Sequence, residues 1–206
     1  MSPRRSAADA ALTRQAIVSE TVAEASREGL ESVTIGRLAE GLGMSKAGVI
    51  GHFGNKQGLQ LAALAAAIEV FRREIWEPAA EQPPGLPRLA AIVDGWLSYL
   101  ERDVFPGGCF VTAASCEFDG RPGPVREALD DALSGWLGAL EREVRAAIDA
   151  GELPPDTDPA QVAFELNSVA MGVNQALQLR GDPNAVRRGR RAMRRALRLS
   201  ERESAA

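Results

Sequence analysis

Long apolar runs, cysteine, histidine and lysine are all scarce in this 206-residue chain. No apolar stretch approaches the roughly 18–20 residues of a membrane span. The opening residues, Met1 to Ser6, lack the apolar core of a secretory signal. Two cysteines, Cys109 and Cys116, do not make a disulfide framework. If they share one helix, seven residues hold them about 10.5 Å apart, too far for a bridge; buried small residues or a thiol sensor are the two readings. The only histidine, His52, offers no metal cluster. No metal, cofactor or catalytic residue is therefore assigned, and a cytoplasmic protein is the simplest reading. No segment alternates convincingly at period two, so sheets are not expected either.

The net charge of −4 is unevenly spread. Residues 1–60 carry a net +1, residues 61–182 a net −11, and residues 183–206 a net +6. Phosphate attraction depends on local charge, because salt screens beyond about 8–10 Å. The acidic middle thus leaves room for a nucleic-acid-binding head. Both lysines, Lys46 and Lys56, fall close together in that head.

Helical periodicity fills most of the rest, predicting an all-α fold of about nine helices. A first helix is expected over 13–28, capped by Thr13 and ended by Gly29, with residues 1–12 frayed. Ile35, Leu38, Ala39 and Leu42 follow the i, i+3, i+4, i+7 spacing of a buried stripe, with Thr34 as cap. Ser45 caps a third helix to Gly51, and Asn55 starts a long fourth to Trp76. Pro78, Pro83, Pro84 and Pro87 break the chain. Further helices are expected over 88–103, 109–118, 125–150, 159–179 and an Arg-rich stretch ending near Ser200.

Residues 34–53 carry the most specific signal. Ala39 is small, Gly43 suits a turn with positive φ, and Val49 is aliphatic six residues on. That spacing is the helix-turn-helix pattern, whose second helix usually enters the DNA major groove.

Thr34-Ile35, Leu38-Ala39, Gly43, Ser45-Lys46, Gly48-Val49, His52-Phe53 and Asn55-Lys56 with Leu59 resemble the N-terminal domain of TetR family transcriptional regulators. The resemblance implies a helix-turn-helix domain over 13–62 and an effector-binding and dimerisation domain over 63–200. It implies a homodimer on a palindromic double-stranded operator, most often a repressor, released by a small effector. Thr34, Arg37, Ser45, Lys46, Ala47, Gly48, Ile50, His52 and Lys56 would face DNA. Each has a plainer reading: Thr34 and Ser45 as caps, Lys46 as a solvated charge, His52 as a packed ring. Relatives usually carry tyrosine at position 50, and here it is Ile50. Gly36 stands where a polar contact is common, and Gly48 with Gly51 should cost the third helix about 1–2 kcal/mol. Arg4 and Arg5 could reach a minor groove or form a disordered basic end.

In the body, Trp96, Tyr99, Phe110, Trp136 and Phe164 suggest an apolar or aromatic effector, with Asn167 as a polar match. Val173, Asn174, Leu177, Met193 and Leu197 are the expected dimer face, in a four-helix bundle. The last helix bears seven arginines between 187 and 198. They read as a solvated face paired with the acidic middle, or as a second nucleic-acid surface. Two other functions fit less of the sequence: a helical interaction module with impaired DNA binding, and a thiol enzyme using Cys109 or Cys116 with His52.

Overall fold

A computed structural model describes residues 7–199. All regular elements among them are helical: α1 (Ala7–Glu28), α2 (Ile35–Gly41), α3 (Lys46–Phe53), α4 (Lys56–Phe71), α5 (Glu77–Ala80), α6 (Leu86–Glu101), α7 (Phe110–Phe118), α8 (Pro124–Asp149), α9 (Pro159–Arg180) and α10 (Ala185–Ala196). A π-helical stretch, Arg72–Trp76, joins α4 to α5 without a break. Counted as one rod, that run leaves nine helices among the described residues, as the periodicity predicts.

Two boundaries differ from the sequence reading. Residues 7–12 are helical, and Thr13 is no cap: its hydroxyl donates to the Asp9 carbonyl within α1. Pro78 does not end the fourth helix. Proline has no N–H for the carbonyl four residues back. The helix has already widened by one residue per turn, with the Glu77 N–H reaching the Arg72 carbonyl.

The described residues fall into two compact units. The first takes residues 7–69 and 105–129, the second 70–104 and 130–199. The first unit takes in α7 as well as the head, because α7 packs on α1.

In the first unit, Ile17, Val18, Leu30, Leu38, Ala39, Val49 and Leu59 are buried together. The Thr34 hydroxyl accepts the Arg37 N–H and opens α2; the Ser45 hydroxyl accepts the Gly48 N–H and opens α3. Gly43 makes the turn between them at φ +61°. Ala39 and Val49 lie inside it, so the small residue lets the helices approach and the aliphatic one anchors α3. Phe53 is half-buried, with the Arg14 guanidinium 4.9 Å above its ring.

In the second unit, Leu97 of α6, Val173 of α9 and Met193 of α10 are buried where these three helices pack. Glu143 of α8 accepts the Gly85 N–H at 3.0 Å and pairs with Arg88 at 3.0 Å, fixing the start of α6. Arg188 pairs with Asp182 and Arg190 with Asp94. Part of the arginine-rich face thus meets acidic side chains, as one of its two readings expects.

Candidate nucleic-acid interface

The cap at Ser45 fixes where α3 begins, and Val49 fixes which face turns inward. The outward face then shows Ser45, Lys46, Ala47, Ile50 and Gly51 to solvent. Gly48 is half-buried against the Ser45 hydroxyl and the Met44 methyl. Ile50 is 41% exposed, a large apolar side chain on the outward face. His52 is half-buried beside Phe53, ring centroids 6.2 Å apart.

The cations differ in how they are held. Lys46 has no ion-pair partner among the described residues, and its stem lies over Gly36 of α2. Arg37 is engaged: Glu28 accepts two hydrogen bonds from its fork, and Glu24 lies 3.3 Å from Nε. The hydrogen bond from Arg37 holds the Glu28 carboxyl below its ordinary value and raises the arginine in turn. Lys56 donates to the Glu31 carbonyl at 2.5 Å and lies 3.3 Å from the Glu31 carboxylate. Glu31 is also held low, first by the Gln60 amide and then by Lys56, with burial opposing. Sequence reasoning missed Glu24, Glu28 and Glu31 as partners. The i, i+4 spacing of Glu24 and Glu28 on α1 is visible in the sequence, but not what faces them or Glu31.

The expected effector residues separate. Trp96 and Tyr99 are buried in the second unit, with Trp136 half-buried beside them. They surround Phe71, which the sequence reading overlooked: Phe71 meets each ring edge-on at 5.0–5.7 Å. The Trp136 indole N–H is buried with no hydrogen-bond partner among the described residues. A buried tryptophan N–H usually finds a partner, so this one stands out beside the aromatic cluster. Phe110 belongs to the first unit, in a groove of about 170 Å³ with Ala25, Leu30 and Glu117. Phe164 is 63% exposed, and Asn167 is half-buried, donating to the Met171 sulfur at 3.5 Å. Phe164 lies off the inward face of α9, which Val162, Ala163, Leu166 and Ala170 take.

The expected dimer residues lie mostly inside the protomer. Val173, Asn174, Met193 and Leu197 are buried within the protomer, and Leu177 half-buried. Val173 fills the space over Gly189 of α10. The apolar groups that α9 does expose are Phe164, Met171 and Leu179. Cys109 is buried and Cys116 exposed, and neither forms a disulfide. Among the described residues no three His, Cys, Asp or Glu side chains are grouped to hold a metal ion. No described helix is long and apolar enough to cross a membrane.

Comparisons with known proteins agree with this layout. Residues 17–63 match the family model for bacterial regulatory proteins of the tetR family. Residues 85–193 match the model for a tetracyclin repressor-like C-terminal domain. The transcriptional regulator AcuR of Cereibacter sphaeroides is 26% identical over 182 residues, 87% of this chain and 83% of that one. A TetR transcriptional regulator from Chloroflexus aurantiacus superposes with a TM-score of 0.83 at 23% identity, over 89% of this chain and 93% of that one. AibR, solved with isovaleryl coenzyme A and operator DNA, superposes at 0.68 with 20% identity, over 90% of this chain and 97% of that one. Family models that cover the head and more than half of the chain, on a helix-turn-helix with an exposed recognition helix, place this chain in the TetR family of transcriptional regulators.

Proposed function

We propose that the protein is a ligand-responsive repressor that binds a palindromic operator as a homodimer and leaves it when a small effector binds. The observation that carries this reading is the exposed first turn of α3, with Ser45, Lys46 and Ala47 presented beyond a buried Val49. An N-terminal turn of that kind meets base edges with its side chains and phosphates with its amides. Lys46 supplies base or phosphate contact; Thr34, Arg37, Gly48, His52 and Lys56 flank it toward the backbone of the duplex. Ile50 offers apolar contact where relatives usually place a tyrosine.

Two heads on one dimer would reach successive major grooves, roughly 34–36 Å apart. In the body, Trp96, Tyr99, Trp136 and Phe71 favour an apolar or aromatic effector, with the Trp136 N–H as its polar anchor. An effector acts by binding better to the conformer that fits DNA poorly. The exposed Phe164, Met171 and Leu179 of α9 are the surface offered to the second subunit.

Labelled DNA from the region upstream of the gene, titrated with protein at physiological salt, tests the reading. Binding at least a hundredfold tighter than to random DNA of the same length is expected. Equal affinity for the two would sink it. A reporter under that upstream region, silenced by the protein, separates repressor from activator.

A further inference from the structure

Glu117 lies on α7, far along the sequence from the helix-turn-helix, yet in the same compact unit. Its carboxylate accepts the Leu30 N–H at 2.8 Å and the Glu31 N–H at 3.0 Å. These amides belong to the turn after α1, which delivers the chain into α2. One carboxylate on two backbone amides gives two charge-assisted bonds with fixed direction.

Glu31 is the residue that holds Lys56. Its N–H goes to Glu117; its carbonyl accepts from Lys56, and its carboxylate faces Lys56 at 3.3 Å and Gln60 at 2.9 Å. The Gln60 amide also reaches the Leu30 carbonyl at 3.1 Å. An ammonium has three donors. The Glu31 carbonyl and carboxylate together hold the Lys56 ammonium in one place.

We infer that Glu117 is a positioning residue for DNA binding, aiming the Lys56 ammonium through the backbone of Glu31. The inference rests on the reading of this protein as a DNA-binding regulator. It makes α7 a lever on a phosphate contact: a shift of that helix by an ångström would redirect Lys56 without touching α3.

The test uses the full chain and labelled upstream DNA, titrated from about 50 to 200 mM salt. Parent, Lys56→Ala, Glu117→Ala, Glu117→Gln and the Lys56→Ala, Glu117→Ala double variant are compared well below their melting temperatures. There a purely stabilising residue leaves affinity unchanged. Lys56→Ala and Glu117→Ala are each expected to weaken binding about tenfold and to lower the salt slope by about one. The double variant is expected to be no weaker than either single one, since both remove the same contact. Glu117→Gln keeps one acceptor and falls between parent and Glu117→Ala; it carries the same cycle with Lys56→Ala if the alanine variant does not fold. Unchanged affinity and slope in the Glu117 variants, or effects additive with Lys56→Ala, overturn the inference while leaving the regulator reading intact. A parent that binds upstream and random DNA equally overturns both.

Discussion

The guanidinium of Arg37 lies as a fork on the carboxylate of Glu28, with N–O distances of 2.6 and 2.7 Å. Both groups are solvent-exposed, so the pair contributes little to stability. Its consequence is for binding. To meet a phosphate, Arg37 must leave Glu28 or bring that negative charge toward the duplex. Glu28→Gln is therefore expected to tighten DNA binding about two- to fivefold near 50 mM salt, the gain fading as screening shortens. In an Arg37→Ala background the gain should vanish, which a salt titration of both variants reads directly. A gain that persists without Arg37 would assign the effect to bulk charge instead.

The same carboxylates give the head a pH dependence of known sign. Glu28 and Glu31 both sit below their ordinary values, through the Arg37 and Gln60 hydrogen bonds respectively. A depressed carboxyl means that the folded head binds fewer protons than the unfolded chain. The stabilisation is complete at neutral pH and is lost as the pH falls through the ordinary glutamate range to the lowered folded value. Thermal melts followed by circular dichroism should show a falling midpoint over that acid range. Glu31→Gln should flatten the fall; an equally steep fall in that variant would place the proton uptake elsewhere.

Gly36 and Lys46 face each other between α2 and α3. A Cβ on Gly36 would meet the Lys46 Cε at 3.3 Å, the far end of a flexible side chain. Gly36→Ala should therefore be tolerated and, by helix propensity, raise stability by up to about 1 kcal/mol. Lys46→Ala should leave the melting temperature unchanged and weaken DNA binding about tenfold with a lower salt slope. Loss of stability in Lys46→Ala would recast this lysine as a packing residue.

Gly107 is held far more tightly. Its N–H donates to the Ser26 hydroxyl at 3.0 Å, and a Cβ there would fall 1.5 Å from the Ser26 carbonyl oxygen. Gly107→Ala must push the segment before α7 off α1, at a cost of about 1–3 kcal/mol. Ser26→Ala removes only the hydrogen bond and should cost about 1 kcal/mol. Chemical denaturation of the two variants decides; equal losses would mean that the close approach is not what holds α7.

What the sequence made legible was local. Thr34 and Ser45 cap helices where their side chains accept backbone N–H groups, and Gly43 takes the left-handed turn. Such signals depend on residues within one turn of each other. Partnerships across the chain were not legible. Nothing in the local pattern says that Glu117 serves the amides of Leu30 and Glu31, or that Glu28 holds Arg37. Periodicity placed Val173 and Asn174 on one face of α9. It could not say whether α6 and α10 of the same protomer cover that face or a second subunit does.

The outward side of α9 carries the last test. Phe164 and Leu179 are 63% and 76% exposed, with Met171 between them at 36%. Three large apolar groups on one helix face are unusual on a monomer and typical of an interface core. Phe164→Glu or Leu179→Glu places a charge there with little effect on the fold, since both side chains are mostly exposed in the protomer. Each is expected to shift the protein from dimer to monomer in sedimentation velocity at micromolar concentration, with an unchanged circular dichroism spectrum. DNA binding should weaken in parallel, because one head alone reaches one groove. Val173→Glu is the contrasting variant: its side chain is buried over Gly189, so it should unfold the second unit rather than dissociate it. A Phe164→Glu, Leu179→Glu double variant that stays dimeric would move the interface off this face of α9.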